Sequence, residues 1–202
     1  MRKLAFWSIC GVALISMAPV SAHVVNIAVG EFVGPLQVSD ASVAVRCPLT
    51  VGGSFEAKTS ALSGQLVVDP KKSGAIDGTL AVDLRTLQTG IGLRDNHMRD
   101  GYLEVHKGEG FQAATLNKIQ LDGIDPVLPV GKASFRGFLT LHGQEREVTG
   151  TADIRRQGSD LKVSASFPVK VSDFAIQSPT YLGVGVRNEV TVAVNFHALN
   201  KR

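Results

Sequence analysis

From about residue 42 onward, apolar residues recur at every second position. In AIDGTLAVDLRT (75–86), Ile76, Gly78, Leu80, Val82 and Leu84 alternate with Asp77, Thr79, Asp83 and Arg85 among the intervening positions. A period of two predicts a strand with one face inward and the other in water. The same alternation carries Ala133, Phe135, Gly137, Leu139 and Leu141, then Val148, Gly150, Ala152 and Ile154. It returns in Leu161–Val171 and finally through Val190, Val192, Val194 and Phe196. Shorter strands are expected at Ser42–Cys47, Ser54–Lys58, Leu62–Asp69 and Phe111–Leu121. The last of these changes phase near Thr115–Lys118, which predicts a bulge.

The punctuation is that of hairpins. DPKKSG, HGQE and RQGSD join successive runs with few residues, and links this short require antiparallel neighbours. Eight or nine strands joined this way predict an all-β fold, an antiparallel up-and-down β-barrel or a two-sheet sandwich. Inward positions that mix aliphatics with Gly78, Gly137 and Gly150, in a chain only 6% aromatic, favour the barrel with an internal cavity. Each glycine taken singly reads as a bend or a close backbone approach.

One stretch breaks the alternation. Residues 87–107 form a long loop or short helix in an otherwise tight-turned domain, and they concentrate charge in LRDNHMRDGYLEVHK. Loops of this length are functional or are pinned by their own side chains. As an active site, His97 would be a general base oriented by Asp95 or Asp100, making a hydrolase or lyase. No nucleophile motif or phosphate loop completes such a site. As a metal site, Asp95, His97, Asp100 and His106 match none of the strong ligand spacings. The third reading is a fastener. Arg94 and Arg99 would fork onto carboxylates or backbone carbonyls, Asp95 or Asp100 would accept from backbone N–H groups, and His97 would use both ring nitrogens. This last reading is the one adopted, with no catalytic residue, cofactor or metal expected.

The first 22 residues do not belong to this pattern. Arg2 and Lys3, an apolar run from Leu4 to Met17 and a Val20-Ser21-Ala22 end predict a cleavable secretory signal peptide at 1–22 and one domain at 23–202. Losing Arg2 and Lys3 lowers the basic count from 21 to 19 against 18 acidic residues, so the sequence pI of about 9.0 overstates the basicity of the mature chain. No basic cluster remains to track a phosphate backbone, and nucleic acid is not an expected partner. Cys10 would leave with the signal. Cys47 would then have no partner, and its alternation with Val43 and Val45 predicts a buried small hydrophobe.

Four segments, in order, resemble the YceI-like family. RDNHM at 94–98 is similar to its R-D-x-H-L motif, with Met98 replacing leucine. GTLAVDLRTLQTG resembles the strand that leads into it, and FRGFLTLHGQEREV a later hairpin. VKVSDFAIQSP followed by NEVTVAVNF resembles its closing segment and last strand. The resemblance implies a lipocalin-like barrel whose apolar tunnel holds a polyisoprenoid chain, such as an isoprenoid quinone or its precursor. It also implies export to the bacterial periplasm and the absence of catalytic residues. Leu80, Val82, Phe135, Leu139, Val148, Phe167 and Val192 are the expected wall residues. Arg94, Asp95, His97 and Arg99 form the expected structural motif, of which Arg94, His97 and Arg99 would meet a head group if exposed. The alternative is a barrel with a filled interior serving as an interaction module. Tyr181-Leu182 offers a patch on which two copies could pair.

Overall fold

The computed structural model describes residues 34–69, 71–125, 129–178, 180–181 and 184–200. The predicted signal peptide lies outside these residues. Nine strands form one antiparallel sheet: β1 (Gly34–Pro48), β2 (Ser54–Thr59), β3 (Leu62–Val68), β4 (Ala75–Asp83), β5 (Ala113–Asp122), β6 (Gly131–Leu141), β7 (Gln144–Gln157), β8 (Asp160–Lys170) and β11 (Glu189–Asn200). Two short strands, β9 (Thr180–Tyr181) and β10 (Val184–Gly185), make a separate hairpin. The sheet closes where β11 pairs with β1, giving an eight-stranded barrel with β2 added at one end.

Strand β1 serves both ends of the barrel. Its register slips between Ser39 and Ser42, where Asp40 takes a φ of 45°. This bulge bends the strand, so that Gly34–Gln37 pair with β3 while Val43–Pro48 pair with β2. The phase change predicted in β5 is also a bulge. The β5–β6 register shifts between Asn117 and Gln120, with Lys118 at φ 50°.

The interior is packed at one end and hollow at the other. At the closed end Leu36, Ile119, Ala152, Ile154, Phe196 and Ala198 fill the space between strands. Phe135 meets Phe167 edge to face, with ring centroids 5.7 Å apart. The glycines belong to this close packing and not to the cavity. A Cβ on Gly150 would stand 2.4 Å from the Ser166 carbonyl oxygen and 2.8 Å from the Phe135 ring, and one on Gly78 would stand 2.1 Å from the Gln65 carbonyl oxygen. The sequence expectation of a cavity holds, but the glycines that suggested it are close approaches.

Toward the open end, β7 and β8 part. Their ladder runs from Gln157↔Asp160 to Thr151↔Ser166 and stops, while β8 stays paired with β11 up to Glu189↔Lys170. Pro168, which has no N–H to offer, sits on the freed stretch of β8. The chain then folds back as a 3₁₀ turn, Val171–Phe174, which packs against β7. Phe174 is among the most deeply buried side chains, at 2% exposure.

Candidate functional site: an apolar cavity and its mouth

Three connections meet at the open end: the β1–β2 turn, the long β4–β5 connection and the segment from β8 to β11. They surround a cavity of about 950 Å³. Its walls are successive inward positions of the strands, Val43, Val45 and Cys47 on β1 and Val190, Val192 and Val194 on β11. Of the expected wall residues, Leu80, Val82, Leu139, Phe167 and Val192 line it. Phe135 and Val148 do not. Phe135 lies in the packed end against Phe167, and Val148 is buried on the part of β7 that has left β8.

The long connection supplies the roof. It contains α1 (Gly92–Asn96), a π-helical turn (His97–Tyr102) and a 3₁₀ turn (Val105–Lys107). The N–H of Leu103 donates to the Met98 carbonyl at 2.9 Å, the five-residue step of a π turn. This winding turns Leu93, Arg94, His97, Met98, Tyr102 and Leu103 toward the cavity. Period-two reasoning had no means of assigning these residues, nor Val184 and Val186 of the last connection. The helical spacing of 94, 98 and 102 was the one available signal.

The charged motif divides into two parts. Asp95 is 7% exposed and accepts from the Thr89 N–H at 2.6 Å and from the Thr89 hydroxyl. That hydroxyl first, then the N–H, hold the Asp95 carboxyl below the usual carboxylate range, and Arg99 and Arg94 add to the effect. Arg94 Nε donates to Thr89 Oγ1 at 2.9 Å, and its guanidinium lies 4.3 Å from the Phe55 ring centroid, over β2. Arg99 donates to the Arg85 carbonyl at 3.3 Å and to Asn96 Oδ1 at 3.1 Å. These three residues tie α1 to the turn that precedes it and to the barrel.

His97 differs from the expectation for a fastener. Its side chain is exposed, lines the cavity mouth and makes no hydrogen bond among the described residues. Arg94 and His97, with the phenol of Tyr102, are therefore the polar side chains of the roof that line the apolar interior. Asp95, Asp100 and His106 are not among the cavity-lining residues, and no group of three or more metal-ligating side chains occurs among the described residues. Burial pushes the Cys47 thiol up to about 11, against the opposing pull of Arg94. Tyr181 and Leu182, the suggested pairing patch, have side chains outside the described residues.

A second fastener, absent from the sequence reading, holds the other side of the roof. His142, in the β6–β7 turn, places Nε2 2.8 Å from Glu104 Oε2 and Nδ1 3.0 Å from the Phe174 carbonyl oxygen. Phe111 packs edge-on against its ring. One imidazole thus joins the long connection to the turn that fills the gap between β7 and β8.

The YceI-like domain model matches residues 32–198. No curated protein matches the sequence. Among solved structures, BcnA of Burkholderia cenocepacia is 18% identical with a TM-score of 0.63, the match covering 79% of this chain and 96% of that one. A polyisoprenoid binding domain from Saccharophagus degradans, implicated in plant cell wall breakdown, is 16% identical with a TM-score of 0.60, over 82% and 97% of the two chains. The YCEI protein of Campylobacter jejuni is 19% identical with a TM-score of 0.56, over 75% and 88%. All three share the barrel.

Proposed function

The chain belongs to the YceI-like family, and on that premise we propose that it is a binding or carrier protein for a long-chain, polyisoprenoid-type lipid. The observation that carries this reading is the cavity itself, about 950 Å³ of space walled by aliphatic and aromatic side chains, with Arg94 and His97 at its mouth. A neighbour described as a polyisoprenoid binding domain supports the ligand class. The hydrophobic leader at residues 1–22 supports export to the periplasm.

The dimensions suit such a cargo. At the roughly 30 Å³ that one water occupies in the liquid, the cavity holds about thirty carbon-sized groups. That is about six five-carbon units, and each buried methylene-sized group contributes about 0.8 kcal/mol. The total, about 24 kcal/mol, exceeds the roughly 4–15 kcal/mol cost of association. An isoprenoid quinone or its precursor meets both requirements, an apolar chain for the barrel and a polar head for Arg94 and His97. Binding rather than catalysis is the role that the geometry supports, since Asp95 and Arg94 are engaged with Thr89 and Phe55.

Native mass spectrometry tests the reading on exported protein purified without detergent, with organic extraction of the bound material. A retained mass that varies in steps of one isoprene unit is expected. A bare protein mass that persists after incubation with polyprenyl lipids refutes it and returns the barrel to the class of interaction modules.

A further inference from the structure

Among the described residues, five large apolar side chains are substantially exposed: Val51, Ile91, Leu93, Val130 and Val184. Single exposed aliphatics are ordinary on protein surfaces and call for no explanation. These are not scattered. Val51 lies in the β1–β2 turn, where the Thr50 N–H donates to the Gly185 carbonyl and the Gly185 N–H donates to Thr50 Oγ1, both at 2.8 Å. That pairing sets the turn beside Val184. Ile91 and Leu93 open the roof helix α1. Four of the five thus stand on the rim of the cavity, and Val130 alone lies at the opposite end, just before β6.

The rim is also continuous with the interior. Ile91, Leu93 and Val184 line the cavity as well as facing solvent, so apolar side chains are shared between the cavity wall and the outer surface. Leu93 is 70% exposed and Val51 66%, and three connections distant in sequence contribute to one patch.

We infer that this rim is a docking surface for the surface of a lipid bilayer. The inference rests on the carrier reading above and adds the place where cargo is exchanged. A rigid protein seated on the rim would cap the opening. A fluid acyl phase is instead continuous with the opening, and a chain can pass between the two without crossing water. Charges of both signs are paired on the strands behind the rim, Glu56 with Arg46 opposite it and Lys58 beside it, and Glu189 opposite Lys170. Attachment is therefore by shallow apolar insertion, reversible and nearly independent of anionic lipid.

The test is flotation of the exported, full-length protein with phosphatidylcholine vesicles, comparing the wild type with Val51→Asp and Val130→Asp. Val51 is exposed and outside the cavity lining, so Val51→Asp keeps both fold and cargo. The wild type and Val130→Asp are expected to float equally, with little sensitivity to salt. Val51→Asp is expected to float up to about fivefold less, the scale of placing a charge near a lipid boundary. A wild type that stays at the bottom overturns the inference, as does an equal loss in Val130→Asp. So does a Val51→Asp that changes only the sedimentation of a dimer, which would assign the rim to a second copy of the chain. Extracted cargo without flotation refutes docking and leaves the carrier reading intact. Flotation without cargo does the reverse.

Discussion

Two substitutions of opposite size should have effects opposite to their size. Gly150→Ala adds one carbon in the closed half, where that carbon would stand 2.4 Å from the Ser166 carbonyl oxygen, 2.6 Å from Phe167 Cβ and 2.8 Å from the Phe135 ring. Backbone is one of the three obstacles, so relief requires the β7–β8 ladder to move. Overpacking of this kind costs about 1–3 kcal/mol. For a domain of this length that lowers Tm by about 2–4 °C per kcal/mol, or roughly 2–12 °C in all. Val192→Phe adds a ring in the open half, where Val192 faces a cavity of about 950 Å³ and pairs across strands with Val45 and Phe167. Nothing there must move, and stability should change by less than about 1 kcal/mol. Thermal melting by far-UV circular dichroism measures both, and native mass spectrometry then shows whether Val192→Phe still retains lipid. We expect a normal melt and lost cargo. A Val192→Phe protein that melts as early as Gly150→Ala would refute the hollow interior.

Asp95→Asn should leave the barrel intact but loosen the roof, with the Thr89 amide exchanging hydrogen at least about tenfold faster; unchanged protection would mean that the carboxylate is not the anchor. His97→Ala should fold and melt like the wild type, since its ring has no hydrogen-bond partner among the described residues; a collapse of Tm would restore it to the fastener. Lys107 first, and His142 after it, hold the Glu104 carboxyl below the usual carboxylate range. That stabilisation is complete above the unfolded value of about 4.3 and is lost as pH falls through the lower folded value. Glu104→Gln should therefore melt below the wild type at neutral pH and converge with it in acid, and parallel curves would contradict the assignment. With its pKa raised from 9.0 to about 11, the Cys47 thiol should carry roughly 100-fold less thiolate than an ordinary cysteine and react with alkylating reagents correspondingly slowly until denatured.

The strands were legible because alternation is a direct consequence of a two-sided sheet. Leu161–Val171 and Val190–Phe196 could not place their apolar residues on one face in any other conformation. The first half of β1 was missed, since Asp40 and the bulge break the alternation just where the strand bends. The wall residues were legible only in part. Alternation tells inside from outside, but it does not say at what height along the axis a residue sits. Val192 and Phe196 are equivalent in sequence and lie at opposite ends of the barrel. The roof escaped because its contacts are between distant segments. Neither the Arg94–Phe55 stack nor the approach of His142 to Glu104 and Phe174 leaves any periodic trace.

The separation of β7 from β8 bears on what the barrel can accommodate. In a fully laddered barrel, strand number and stagger fix the girth, and widening it anywhere means breaking backbone hydrogen bonds in a row. Here the hoop is complete only below Thr151 and Ser166. Above them the seam between β7 and β8 is filled by one turn of chain carrying Phe174, which the imidazole of His142 joins to Glu104. Widening the upper half along this seam would therefore break no β7–β8 ladder hydrogen bond, while widening the lower half would break a row of them. On the carrier reading, the girth available to a bound chain is set at this seam by side chains and one turn, and below it by the backbone lattice.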